Sequence, residues 1–162
     1  MLDSNVPFVW EDEQQEAFDI IKNALLSDTV LQIPNPNKKF VIYPDASQVG
    51  VGGLLMQEDL NDPTKLKPCA FMSIKLDATQ FKWGTYEKEL WAMILSLQKW
   101  KHYIIASPVE IRTDHQALKW FKSQGKLTDK VIRWLDFMSE FDYTIVHVPR
   151  DQNVVALSLI HI

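Results

Sequence analysis

Three strand-like runs follow one another at residues 39–45 (KFVIYPD), 49–57 (VGVGGLLMQ) and 67–74 (KPCAFMSI), and a long amphipathic helix comes next. The links between the runs are short: Ala46, Ser47 and Gln48 form a tight turn, and a polar stretch over 58–65 forms a longer one. Two short links in a row predict an antiparallel meander. The helix is predicted over 85–102, where Tyr86, Leu90, Met93, Ile94, Leu97 and Trp100 recur on one face. A short strand at 109–114 follows, then a brief helix around 116–121. A longer helix is predicted at 128–141, lined by Val131, Trp134, Leu135, Met138 and Phe141, and a last strand at 143–148. The order βββαβααβ implies a mixed sheet with helices packed on it.

Upstream, residues 10–27 read as a helix. Phe18, Ile21 and Leu25 sit at helical spacing, and Glu11, Asp12 and Glu13 suit the positive end of its dipole. The stretch 32–37 (QIPNPN) breaks that pattern and reads as a linker, the best internal boundary. Gly50, Gly52 and Gly53 in the second run are expected to keep one sheet surface bare.

At 162 residues and 46% apolar, the chain has enough material for one domain with a real core. The net charge of -4 argues against an autonomous nucleic-acid binder, which carries a basic excess. It leaves room for a nuclease, since bound cations or a covalently attached domain supply positive charge. Cys69 is the single cysteine, so no internal disulfide forms and a reducing, intracellular setting is expected. No apolar stretch of about eighteen residues and no basic-then-apolar start is present, so neither a membrane span nor secretion is expected.

Three acids stand at positions where chemistry is possible. Asp45 ends the first strand, Glu89 lies near the start of the long helix, and Asp114 ends the fourth strand. Grouped at one sheet edge, such carboxylates repel one another unless divalent cations neutralise them. Hard oxygen donors suit magnesium or manganese, and a pair of such ions cleaves phosphodiesters. Taken singly, each has an ordinary reading: Asp45 as a turn-former, Glu89 as a solvated helix residue, Asp114 as a helix cap.

A resemblance sharpens these choices. Asp45, Ala46 and Ser47 followed by Gly50, Gly52, Leu54 and Leu55 look like the first strand and turn of gypsy-type retrotransposon ribonuclease H domains. The run from Pro68 to Ser73 with Lys75 and Leu76 resembles their third strand. Tyr86, Glu87, Lys88, Glu89, Leu90, Trp91 and Ala92, followed by Lys99 to Tyr103, resemble their long helix. Thr113 to Leu118 resembles the fourth strand and its exit, and Asn153 to Ala156 the start of the closing motif. Phe8, Val9, Trp10, Ala17, Phe18, Leu25 and Leu26 resemble the end of the reverse transcriptase that precedes the domain.

The resemblance implies an α/β, ribonuclease-H-like mixed five-stranded sheet, its first three strands antiparallel, with flanking helices and the last helix truncated. It divides the chain into a reverse-transcriptase remnant and linker at 1–38, the ribonuclease-H-like domain at 39–156, and a tail at 157–162. It implies hydrolysis of the RNA strand of RNA–DNA hybrids with two magnesium ions (manganese being possible), alongside the upstream reverse transcriptase of the same polyprotein. Asp45, Glu89 and Asp114 fall on its first three carboxylates. Glu87 is a rival for the second but lies about 200° around the helix from Glu89.

Two departures stand out. Pro44 precedes Asp45 where the family commonly has Thr. Ala156 is followed by Leu157, where the family places its fourth acid; Asp151 does not match that position. The last six residues, Leu157 to Ile162, are also the six-codon translation of a transposase adapter used in sequencing libraries, which makes an adapter-derived tail the expected origin. The alternative to a nuclease is a catalytically inactive module of the same fold that binds nucleic acid or a partner. Ser47, His115, Lys119 and Lys122 are candidate nucleic-acid contacts, with Lys126 and Lys130 as further phosphate binders and Trp83 and Trp120 as exposed platforms. His147 reads as structural.

Overall fold

The structure, a computed structural model, describes residues 10–26, 31–60, 62–114 and 127–148. The brief helix expected at 116–121 and the tail at 157–162 lie outside the described residues. The chain divides into two units, residues 1–31 and 32–162.

In the first unit, helix α1 runs Asp12–Leu26, with Asp12 and Glu13 in its first turn. The Gln14 side chain accepts the Glu11 N–H, and Trp10 packs edge-on against Phe18 at 5.8 Å. Ile20 and Ile21 are exposed, so the stripe read from the sequence is not fully covered.

The second unit is built on a five-stranded sheet: β1 Phe40–Ala46, β2 Gly50–Glu58, β3 Leu66–Lys75, β4 Val109–Thr113 and β5 Tyr143–His147. The spatial order is β3-β2-β1-β4-β5. The first three strands form the expected antiparallel meander, whereas β4 runs parallel to β1 and β5 parallel to β4. Helix α2, Thr85–Ile104, packs on β1 and β2, and helix α3, Asp129–Met138, packs on α2. The Thr128 hydroxyl caps α3 by accepting the Val131 N–H.

The amphipathic pattern explains the core. Leu90, Met93, Ile94, Leu97 and Trp100 on α2 are buried against Phe40 and Ile42 of β1, Leu55 of β2 and Ile111 of β4. Tyr86, read as part of that face, is 36% exposed. It sits in the first turn, where the helix starts beyond the sheet's cover.

Two expectations need correction. The stretch 32–37 is not a free linker: the Gln32 N–H donates to the Pro68 carbonyl, and the buried Gln57 amide both accepts from Asn35 N–H and donates to the Asn35 carbonyl. The two compact units divide after Leu31, at the start of this stretch. Gly53 of β2 does not keep a surface bare either. Gly53 lies under α2, where an added Cβ would stand 2.7 Å from Ser96 Oγ and 3.1 Å from Trp100. Here the missing side chain lets helix and sheet approach.

Candidate active site

The parallel β1–β4 ladder sets the frame. Its register pairs Phe40 with Val109, Val41 with Glu110 and Ile42 with Ile111. The pairs end there; Asp45 lies three residues beyond Ile42 on β1, and Asp114 three residues beyond Ile111, just past the end of β4. Asp45 closes β1 at 6% exposure, with Oδ1 accepting the Ala46 N–H at 2.9 Å. Asp114 follows β4 directly and is half-buried. Glu89 lies early in α2 at 5% exposure. A helix residue that buried does not fit the reading of a solvated face.

Glu87 is engaged elsewhere. Its Oε2 accepts the Gly84 N–H at the start of α2, and its Oε1 pairs with Lys130 Nζ at 2.7 Å. Lys130 also lies 3.8 Å from the Trp83 ring centroid and 5.1 Å from that of Trp134. Trp91 stacks on Trp134 at 5.2 Å, and Trp83 meets both rings. Lys130 and Trp83, read as a phosphate contact and an open platform, instead join α2 to α3. Burial of the rings against each other outweighs leaving them to solvent. His115, Lys119, Lys122, Lys126 and Trp120 lie outside the described residues.

The Ser47 hydroxyl is used inside the β1–β2 turn, accepting from Val49 and Gly50 N–H and donating to the Gly50 carbonyl. Lys88, which sequence reasoning passed over, is 6% exposed and reaches from α2 to the Gln48 carbonyl of that turn at 3.2 Å, with its ammonium 5.2 Å from the Phe81 ring centroid. His147, read as structural, is exposed on β5.

A second polar group missed in the sequence ties β1 to β4. Arg112 Nη1 donates to Tyr43 Oη at 2.7 Å, and Arg112 Nε donates to Glu110 Oε1 at 2.5 Å. Lys39 Nζ donates to Glu110 Oε2 at 2.9 Å. The Lys39 hydrogen bond, helped by Arg112 and opposed by burial, holds the Glu110 carboxyl below its ordinary value. No local pattern reports the Tyr43–Arg112 and Lys39–Glu110 pairs, whose partners are 69 and 71 residues apart.

Asp45, Glu89 and Asp114 offer hard oxygen donors of the kind that suit magnesium or manganese. The side chains do not form a ready-made cage: among the described residues, no three His, Cys, Asp or Glu side chains are grouped to hold a metal. Donor chemistry and backbone placement therefore fit a divalent ion, and the closure of the side chains is the part not preset. Among the described residues, no helix is long and apolar enough to cross a membrane.

Residues 35–141 match the family described as "RNase H-like domain found in reverse transcriptase". The chain is 31% identical over 147 residues to the retrovirus-related Pol polyprotein from transposon 297 of Drosophila melanogaster, covering 91% of this chain and 13% of that protein. It is 32% identical over 168 residues to the transposon Tf2-3 polyprotein of Schizosaccharomyces pombe, covering 98% of this chain and 12% of that one. The chain thus spans about an eighth of these relatives.

Two solved structures show the same fold. RNase H1 from Halobacterium salinarum superposes with a TM-score of 0.57 at 22% identity, over 76% of this chain and 95% of that one. The foamy viral protease-reverse transcriptase in complex with RNA/DNA hybrid gives a TM-score of 0.60 at 21% identity, over 88% and 20%. The mixed sheet order and flanking helices are those of the ribonuclease H fold, as the sequence resemblance implied. This chain belongs to the RNase H-like domain family found in reverse transcriptases, in the form carried by the Pol polyproteins of retrotransposons.

Proposed function

We propose that this domain hydrolyses the RNA strand of RNA–DNA hybrids during reverse transcription, as part of a gypsy-type Pol polyprotein. The observation that carries the reading is the β1–β4 register, which puts Asp45 and Asp114 at neighbouring strand ends in a domain of this family. The relative solved with RNA/DNA hybrid supports the choice of substrate. Asp45, Glu89 and Asp114 would hold two magnesium ions, with manganese a possible substitute. When bound, such ions supply an activated water and a counter-charge for the leaving oxygen.

The chain's own residues do the rest. Asp45 and Glu89 are withheld from bulk water by their burial, which strengthens their interaction with any cation that enters. The Ser47 turn and Lys88 fix the backbone that follows Asp45. Activity is lowered by the absence of an acid after Ala156, where the family has its fourth ligand. The second reading, a module of the same fold that holds hybrid without cutting it, is favoured by Leu157 standing where the family has its fourth acid.

The test is magnesium-dependent cleavage of a labelled hybrid by the full chain and by a variant in which Leu157 and the residues after it are replaced by Asp-Ala-Leu-Ser-Arg. Cleavage that rises by orders of magnitude in the second supports the nuclease. Hybrid bound but uncut by both leaves the binding module.

A further inference from the structure

On the reading that this domain acts on RNA–DNA hybrid, we infer that Lys39 and Arg112, which share the Glu110 carboxylate, form a phosphate contact for the hybrid on the face of the sheet turned away from α2. Phe40 and Ile42 of β1 and Val109 and Ile111 of β4 lie in the core with α2. Successive side chains of a strand point to opposite faces, so Tyr43, Glu110 and Arg112 stand on the other side. Lys39, one residue before β1, reaches the same carboxylate.

Two cations here share one anion. Lys39 Nζ meets Glu110 Oε2 at 2.9 Å and Arg112 Nε meets Oε1 at 2.5 Å, so the group is locally positive on a chain of net charge -4. The carboxylate is covered, with 14% of its side chain exposed, whereas Lys39 is 47% and Arg112 30% exposed. An approaching anion therefore meets the positive members of the group. Arg112 is also held in place: Nη1 donates to Tyr43 Oη at 2.7 Å, and the guanidinium carbon lies 5.6 Å from the Tyr43 ring centroid. With Nε and Nη1 both committed, the solvent-facing part of the guanidinium keeps one orientation, and little freedom is lost when it meets a phosphate. Arg112 lies two residues before Asp114, about 7 Å along the chain. A hybrid backbone brought to the carboxylates is repelled by their charge, and a fixed guanidinium at that distance offsets part of the repulsion.

The experiment measures binding of the full chain to a labelled RNA–DNA hybrid by fluorescence anisotropy over a range of NaCl concentrations, in EDTA so that nothing is cut. Each lost phosphate contact lowers the slope of log K against log salt by about 0.9. Arg112→Met should therefore weaken binding at low salt, and over a rise in salt of about fourfold it should lose about 3.5-fold less affinity than the wild type does. Arg112→Lys keeps the charge and should keep the slope. Glu110→Gln removes the anion and leaves both cations, so it should tighten binding; it carries the test alone if urea unfolding shows Arg112→Met to be unfolded. Lys65→Met removes the same charge from the β2–β3 link, where the side chain is 75% exposed and paired with Asp62, and should leave the slope unchanged. A slope in Arg112→Met equal to that of the wild type, one lowered as far in Lys65→Met, or weaker binding in Glu110→Gln overturns the contact while leaving the hybrid reading intact. Wild type that binds no hybrid at low salt overturns the hybrid reading and the contact together.

Discussion

Replacing Gly53 by Ala tests how closely α2 must lie on the sheet. No glycine among the described residues has a positive φ, so the backbone at Gly53 would accept a side chain, and the requirement is one of space. In an open site, Gly→Ala stabilises by about 0.4–1 kcal/mol through the unfolded chain. Here the new Cβ would sit 2.7 Å from Ser96 Oγ, 3.1 Å from Trp100 and 3.2 Å from Met72. The first contact is about 0.8 Å inside a normal separation of ~3.5 Å. Ser96 cannot turn away at no cost, because its hydroxyl donates to the Ala92 carbonyl at 2.7 Å. Trp100 is 2% exposed and has no room to move. Overpacking of this kind costs about 1–3 kcal/mol and outweighs the entropic gain. In a domain of this size that is a fall in Tm of about 4–12 °C. Ser96→Ala removes the closest atom, so the double variant should recover at least about 1 kcal/mol relative to additivity. Thermal and urea unfolding of the four proteins would measure this. A neutral or stabilising Gly53→Ala, or strictly additive effects, would refute the close approach.

Under the metal reading, magnesium at about one hundred times its Kd should stabilise the wild type by roughly 2.7 kcal/mol and leave Asp45→Asn unmoved, as read by Tm; equal responses would count against Asp45 as a ligand. Glu110 ionises below its ordinary value of 4.5, so its stabilising contribution is present above that pH and is lost as pH falls through the folded-state value. The urea midpoints of wild type and Glu110→Gln should thus differ at pH 7 and converge in acid, and a constant gap would contradict the pairing. Burial pushes the Cys69 thiol up to about 11, with a Gln57 backbone hydrogen bond opposing only in part. Thiol reagents at pH 8 should accordingly label it far faster in urea than in the native protein. Trp134→Ala removes a ring stacked on Trp91 and should cost about 2–4 kcal/mol in chemical denaturation, the usual range for emptying a largely covered aromatic site.

Much of this protein follows from local rules. The helical period of Leu90, Met93, Leu97 and Trp100 foretells both α2 and the face it buries, because period and burial arise from the same geometry. The short links after Asp45 and Glu58 leave antiparallel pairing as the economical outcome for β1 to β3. The motif around Glu89 separates it from Glu87, and in the structure Glu87 is engaged by helix-start and Lys130 contacts. Asp45, Glu89 and Asp114 are singled out as proposed ligands for the same reason, since each sits in a run of family-like neighbours.

Sequence alone could not place β4 beside β1, nor reveal that Lys39 meets Glu110 and Tyr43 meets Arg112. It also misread Gly53, and did not show that Lys130 meets Glu87 or that Gln57 meets Asn35. Each of these depends on a partner far along the chain, and nothing within one helical turn or one strand pair encodes it. Local periodicity determines which face of an element is apolar; which element covers that face, and which polar groups are thereby trapped together, is decided only when the whole sheet closes against α2 and its charges must find partners or stay in water.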